Sequence, residues 1–515
     1  MNFTEALTNE LHEDFNESIT ENGAVGYRTT GKNLLDLNFA VASLRGVSDE
    51  KIIERFKKAY FDDKILAIKW LFFARDIRGG LGERRLFRTA MKYLAKYDAN
   101  FIASVIPLIA EYGRFDDMWI FLDTDLSLTV LNCVGKQLRS DIKNMRDNKP
   151  ISLLAKWLPS VNASSSETKR YAKKIVRFFG ISERKYRKLL SELREYLDVV
   201  ERKMSSNKWG DINYETVPSR ANLIYNDAFL RNDEKRRREF LSKLEKGETK
   251  INSSVLYPHD IVHKYTNTAL YGFRINNYDA AIESMWKSLP DVVQENGNTI
   301  VVADGSGSMT WRVGNSNISA LEVANSLAIY FAERSSGEFK DKYITFSKSP
   351  QLVDFGQADS LRDKLSIAMA HNEVSNTNIE AVFDLVLNTA IKNKMSQKDI
   401  PANILIISDM EFDQATYDPE AGYKGLSRLF DTIKQKYEYA GYKIPRLVFW
   451  NVDSRTNTIP VRENDMGVAL VSGFSVNICK MVMSGKTDPY ECLLETINSE
   501  RYKPVEDALL KSNYR

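Results

Sequence analysis

Cysteine and histidine are scarce in this chain. Its 515 residues hold three cysteines, Cys133, Cys479 and Cys492, and four histidines. No Cys-x-x-Cys pair occurs, so neither a zinc framework nor a disulfide scaffold is offered. A few scattered thiols, odd in number, suit a reducing interior, and a cytoplasmic setting is expected. Long apolar runs are missing too. None approaches the ~20 residues of a membrane span, so no membrane partner is expected. Residues 1–14 are acidic and polar without an apolar centre, unlike a signal peptide. No glycine-rich loop is followed by a Walker lysine, which leaves an NTPase unsupported. An excess of one charge is also absent: 72 Lys and Arg stand against 69 Asp and Glu, a net charge of +3. Total charge therefore does not argue for a nucleic-acid binder, and only its distribution could.

What is present divides into two kinds of pattern. From about Lys32 to Pro290 the apolar period is helical. Leu34, Leu35, Leu37, Phe39, Ala40, Val41 and Leu44 form one series, and Ile65, Leu66, Ile68, Leu71, Phe72 and Phe73 another. Short breaks such as Arg78-Gly79-Gly80 and Tyr112-Gly113-Arg114 separate them. Helices with short connections predict antiparallel pairs in an irregular solenoid, since no strict repeat is present. After about Gly297 strands and helices alternate. The pattern predicts strands at 298–303, 342–346, 351–355, 403–408, 446–451 and 467–472. It predicts helices at 319–333, 379–392, 423–440 and 475–483, and a helical tail at 488–511. Such alternation implies a mostly parallel sheet covered by helices. The expected organisation is an N-terminal segment 1–30, a helical array 31–290, an α/β domain 297–485 and a C-terminal helical tail 486–515.

The α/β half carries the clearest chemistry. The apolar run Ile300-Val301-Val302-Ala303 feeds into Asp304-Gly305-Ser306-Gly307-Ser308. One carboxylate and two hydroxyls then alternate at the end of a strand. Such oxygens suit a hard cation, and ligands of open α/β sheets bind beyond the carboxyl ends of strands. Two more oxygen-bearing loops fall at matching places, Ser375-Asn376-Thr377-Asn378 and Ser408-Asp409-Met410-Glu411. Asp304, Ser306, Ser308, Thr377 and Asp409 are the candidate metal ligands. With few charges among them, the ion would seek one more anionic ligand.

Two catalytic alternatives are weaker. Gly305-Ser306-Gly307-Ser308-Met309 departs from the Gly-x-Ser-x-Gly nucleophile elbow at its last position, and only His371 follows it as a histidine. His259-Asp260-Ile261-Val262-His263 has Asp where a zinc protease has Glu, a methylene short, and Pro258 reads as a helix start.

The three-loop set resembles the metal-ion-dependent adhesion site of von Willebrand factor A domains. That resemblance implies a divalent cation, Mg²⁺ or else Mn²⁺ or Ca²⁺, and an acidic side chain of a partner as its outer ligand. Where that family has Gly-Gly-Thr this chain has Ser-Asn-Thr, which loosens the assignment of Thr377. A helical array before such a domain resembles the TROVE-module proteins of the Ro autoantigen class. More closely, the chain resembles a von Willebrand factor A-domain family built on that plan. Segments such as Ala74-Arg75-Asp76-Ile77-Arg78-Gly79-Gly80, Glu111-Tyr112-Gly113-Arg114-Phe115-Asp116-Asp117 and Phe449-Trp450-Asn451-Val452 carry this resemblance. The implied fold is a HEAT-like irregular α-helical array followed by a Rossmann-like, doubly wound von Willebrand A domain.

An RNA partner for the helical half is suggested by basic clusters. Lys169, Arg170, Lys173, Lys174 and Arg177 share helical spacing, and Arg184, Lys185, Arg187 and Lys188 follow. Tyr171, Phe178 and Tyr186 interleave with them, as stacking on single-stranded RNA would use. Lys235 to Arg238 form a further cluster, and Arg75, Arg78, Arg84 and Arg85 surround the glycine loop. The expected function is a non-enzymatic binding or scaffold protein that engages RNA through the array and an acidic ligand through the metal. The alternatives are a protein-binding adaptor or co-chaperone without nucleic acid, and a metal-dependent phosphohydrolase, which lacks an evident general base.

Overall fold

A computed structural model describes residues 16–253, 255–269, 272–293, 298–347, 349–372, 378–412, 426–460, 468–478 and 488–513. The chain forms two compact units. One comprises residues 1–62 and 256–496, the other 63–255 and 497–515. The first is α/β and the second α-helical.

The α/β unit opens with a hairpin, β1 (Glu17–Ile19) and β2 (Val25–Tyr27), and a second hairpin follows later, β3 (Thr266–Ala269) and β4 (Gly272–Ile275). Six more strands build one sheet: β5 (Thr299–Asp304), β6 (Lys342–Phe346), β7 (Leu352–Asp354), β8 (Asn403–Ser408), β9 (Arg446–Asn451) and β10 (Val468–Ser472). Their order is β10-β9-β8-β5-β6-β7, with only β7 antiparallel. The chain starts in the middle at β5, runs outward to β7, then returns to β8 and runs outward the other way. Strand order thus reverses between β5 and β8, where an open α/β sheet forms its ligand crevice. Every residue of β5 is buried, as a parallel strand covered on both faces requires.

Helix Ala320–Arg334 follows β5 and is buried along nearly its whole length. Its start is fixed by a capping box, with the Ser319 hydroxyl accepting from Glu322 N and the Glu322 carboxylate accepting from Ser319 N at 2.7 Å. Helix Pro258–Tyr265 packs against it, and helix Asn33–Phe39 packs against β10. The helical period of residues 31–62 and 256–290 is therefore present, but these helices belong to the α/β unit. Helix Leu361–Ala370, between β7 and the helix Ile379–Lys392, was not anticipated by the pattern.

Glu322 has a second role. His263 Nδ1 lies 2.7 Å from Glu322 Oε1, and the Thr266 hydroxyl donates to the same oxygen. The bond to Glu322 raises the His263 pKa above its ordinary value of 6.5. Burial pushes Glu322 up, but His263, Ser319 and Thr266 outweigh it and hold the carboxyl below its ordinary 4.5. The histidine's stabilisation is complete below about pH 6.5 and is lost as pH rises through its raised value. The glutamate's is present above about pH 4.5 and is lost as pH falls. The pair therefore contributes most between those values. His263→Gln is expected to lower Tm by about 1–3 °C near pH 5.5, with the gap closing as pH rises through the raised His263 pKa. Melting curves across that range check it, and a gap that widens with pH contradicts it.

The helical unit is built from antiparallel pairs. Helices Lys64–Arg75 and Arg84–Tyr97 pack together, as do Ser219–Asn232 and Glu234–Glu245. Helix Lys503–Asn513 packs on Lys64–Arg75, and Lys69 Nζ meets Glu506 Oε2 at 2.6 Å. Among the described residues no helix is long and apolar enough to cross a membrane.

Candidate metal centre

Asp304 ends β5, Ser408 ends the neighbouring β8, and Asp409 follows directly. The sheet topology therefore places both loops side by side at the point of strand reversal. Asp304 is 1 % exposed and Asp409 3 %. Asp304 Oδ1 accepts from Ser306 N at 2.9 Å, which curls the loop back on its carboxylate. Its Oδ2 accepts from the Ser408 hydroxyl at 2.6 Å, tying β5 to β8. The hydroxyls of Ser306 and Ser308 lie 3.0 Å apart. Met410, the residue after Asp409, has φ of +63°, a left-handed conformation unusual for a residue with a side chain.

Asp409 Oδ2 is buried and has no hydrogen-bond partner among the described residues. Arg455 Nη2, from the loop after β9, approaches it at 3.3 Å without hydrogen-bond alignment. Burial, and then the Asp304 charge, raise the Asp409 pKa; the Ser308 hydroxyl and Arg455 pull the other way. Asp453 is raised to about 7 by burial and then by Asp409. Buried like charges with an unmatched oxygen are costly unless something positive joins them.

The loop carrying Asp409 is clamped from below by Glu411, which is 1 % exposed. Its Oε1 accepts from Arg455 N at 2.8 Å and Thr456 N at 2.9 Å. Its Oε2 accepts from Glu21 N at 2.9 Å, reaching into the turn between β1 and β2. The Thr20 hydroxyl donates to Phe412 O at 2.6 Å, and Asn22 Nδ2 to Glu411 O at 2.6 Å. Glu21 Oε2 also meets Arg455 Nη2 at 2.7 Å.

Of the five expected ligands, Asp304, Ser306, Ser308 and Asp409 sit at these strand ends. Thr377 lies outside the described residues. Asn372 Oδ1 comes within 3.0 Å of where a Cβ on Gly305 would stand. Among the described residues no three His, Cys, Asp or Glu side chains gather as a metal cluster. This arrangement relies instead on two carboxylates and neutral hydroxyls. Sequence reasoning named neither Asp453 nor Arg455, and it noted Glu411 only as part of a loop. Their side chains matter because β9 lies beside β8, which no local motif encodes.

The histidines near helix Pro258–Tyr265 are structural. His259 is buried between Tyr257 and Phe474, and His263 is bound to Glu322. His371 Nδ1 bonds to Ile367 O, one turn back.

The basic clusters of the helical unit divide by what their cations bind. Lys169, Lys173 and Arg177 are exposed on helix Ser166–Phe178, and Arg184, Lys185, Arg187 and Lys188 on helix Glu183–Tyr196. Arg170 and Lys174 both pair with Asp123, the lysine at 2.6 Å. The expected stacking role of Tyr186 is overturned: it is 0 % exposed and donates to Pro159 O at 3.0 Å. Its spacing to Leu190 and Leu193 is the core-facing period that marks it as interior. Arg237 is likewise buried, held by Asn222 and Asn226 and ringed by Tyr214, Phe229 and Phe240, so it belongs to the core and offers no basic surface.

Two family models match this chain. Residues 298–508, which include the whole six-stranded sheet, match a Domain of unknown function (DUF7788). Residues 20–110 and 164–299 match a Domain of unknown function (DUF2828). The chain is also similar to Uncharacterized protein L728 of Acanthamoeba polyphaga mimivirus, with 29 % identity across 95 % of this chain and 89 % of the viral protein.

Proposed function

We propose that this protein is a non-enzymatic binding protein whose α/β unit holds a divalent cation and offers it to an acidic group on a partner. The observation that carries this reading is the buried, unbonded Asp409 Oδ2 at the strand reversal beside Asp304. Asp304, Ser306, Ser308 and Asp409 would hold the ion, and Mg²⁺ suits their all-oxygen chemistry, with Mn²⁺ or Ca²⁺ as substitutes. When bound, the ion would supply a Lewis-acidic coordination position that an acidic group can fill. The protein's part is to fix these oxygens: Ser408 orients Asp304, and Glu411 holds the Asp409 loop. The strand order and the loop positions support the resemblance to a von Willebrand A domain. A binding role is favoured over hydrolysis by the surroundings of Ser306, whose hydroxyl faces that of Ser308 rather than a base.

Calorimetric titration with Mg²⁺ tests the site. Asp304→Asn and Asp409→Asn are each expected to weaken binding by about 100-fold while the melting transition is retained. Titrations equal to wild type reject the assignment.

A second reading, RNA binding by the helical unit, rests on the exposed cations of the two consecutive helices. Changing Lys169, Lys173 and Arg177 together to Glu is expected to abolish most RNA affinity and flatten its dependence on salt. Retention of RNA by that variant removes this surface. A protein-binding adaptor without nucleic acid is then the form of the first reading that stands.

A further inference from the structure

The glycine loop after helix Lys64–Arg75 and the turn at 114–117 build a second charged centre, within the helical unit and independent of the metal face. Arg75 ends one helix, Arg84 and Arg88 lie one turn apart at the start of the next, and Arg114 precedes the short helix Phe115–Phe121. These four guanidiniums converge on two carboxylates. Asp117, fully buried, accepts from Arg75 Nε at 2.9 Å and Arg88 Nε at 2.6 Å. Asp116, nearer the surface, is shared by three arginines. Arg84 bonds to it, Arg88 Nη2 lies 3.1 Å from its Oδ2, and Arg114 reaches Oδ1 and Oδ2 at 3.0 and 3.1 Å.

Arg84 and Arg88 also reach Asp117, Arg88 Nε at 2.6 Å and Arg84 Nε at 3.4 Å, so four guanidiniums share two carboxylates, an excess of two positive charges on the outer side. Several observations show that this excess is unrelieved. Arg88 Nη2 is buried and, although 3.1 Å from Asp116 Oδ2, makes no aligned hydrogen bond. Arg84 and Arg88 are like charges at i and i+4, a destabilising spacing, and Arg84 lies at the amino end of its helix, where a cation opposes the dipole. Burial, and then Arg88, push the Arg84 pKa down. The group is reachable: the Arg84 side chain is 42 % exposed, and those of Arg114 and Arg88 are 29 % and 26 %. Arg114 is also held in plane, its guanidinium 4.1 Å above the Trp157 ring.

We propose that Arg84, Arg88 and Arg114 form a binding site for a phosphate monoester. Such a group carries a charge of about −1.5 to −2 at neutral pH, which matches the outer excess. Arginine forks bind phosphate oxygens in pairs, and here the forks are already gathered and oriented by Asp116, Asp117 and Trp157. Asp116 keeps the three arginines together when no anion is bound, and it competes with the ligand for them.

That competition makes the site testable with AMP as probe, titrated by calorimetry against the full chain. Wild type is expected to bind AMP and not adenosine. Arg84→Gln and Arg114→Gln, both at partly exposed positions, should each weaken AMP binding by tenfold or more. Asp116→Asn should strengthen it several-fold, since it removes a repelling charge while keeping the side chain's shape. A purely structural network predicts the reverse for Asp116→Asn, a loss like that of the arginine variants, and that result overturns the site. So does equal binding of adenosine and AMP, or no binding of AMP at all. A 5′-phosphorylated oligonucleotide that displaces AMP, where its 5′-hydroxyl counterpart does not, identifies the source as a nucleic-acid end. AMP left in place by both identifies a free nucleotide, and either result sustains the phosphate site.

Discussion

Asp117→Ala is expected to destabilise the helical unit by about 3–5 kcal/mol, the cost of leaving buried cations without their counter-charge. Arg75 has only 3 % of its side chain exposed and its Nη2 sits 2.8 Å from Asp117 Oδ2, so it cannot swing into water without dragging the end of its helix. The same carboxylate accepts from Arg114 N at 3.0 Å and so also shapes the turn. Gly113 shows how tightly this is built: a Cβ there would stand 2.6 Å from Asp117 Oδ2 and 2.9 Å from Arg75 Nε. Thermal melting should show a fall of about 6–20 °C for a unit of this size. Burial pushes the Asp117 pKa up, but Arg75 and Arg88 outweigh it and hold the group below its ordinary 3.8. Its stabilising effect is therefore present above about pH 4 and is lost as pH falls through the lowered value. A variant within about 1 kcal/mol of wild type at neutral pH refutes this account.

Glu411→Ala is the second large effect, expected in the α/β unit. The substitution strands the backbone N–H groups of Glu21, Arg455 and Thr456, at about 1–3 kcal/mol each if they stay buried. A cost of about 3 kcal/mol or more is expected, with partial escape through solvation of the Glu21 turn. Limited proteolysis should then cut the β1–β2 hairpin much faster than in wild type. Mg²⁺ binding should weaken as well, because the loop bearing Asp409 loses its anchor. Glu411→Gln keeps one acceptor oxygen and should fall between. Unchanged proteolysis in Glu411→Ala rejects the clamp.

The strands of the sheet are legible in the sequence because each is a short β-branched run ended by a polar turn. The pattern places Lys342–Phe346, Asn403–Ser408 and Arg446–Asn451 where the structure has them. Helix Leu361–Ala370 is missed although Leu361, Leu365 and Ala368 carry its buried period, because the helix spans fewer than three turns. The hairpin at 17–27 has no alternating apolar pattern to betray it, since its strands are three residues long and stabilised by partners far along the chain.

The site divides in the same way. Asp304 and Asp409 are legible because a strand end positions each of them. Arg455 is not, because it reaches Asp409 from the next strand's loop. Charge clusters are the least legible, since one helical spacing serves both an exposed face and a set of bonds. Lys169 and Lys173 face solvent, while Arg170 and Lys174, one residue on, share Asp123. The glycine run at 79–82 has a conformational origin: a Cβ at Gly80 would fall 1.9 Å from Phe73 O, on the helix that the loop folds back against.

The β1–β2 hairpin also sets a clock. Ser18 bonds to Thr458, 440 residues later. Tyr27 exchanges both backbone hydrogen bonds with Ile459. At a synthesis rate of about 5–20 residues per second, the first residues of the hairpin wait roughly 20–90 s for the strand loop they join. Throughout that wait they are an unpaired edge, and the α/β unit cannot close before nearly all of the chain has been made.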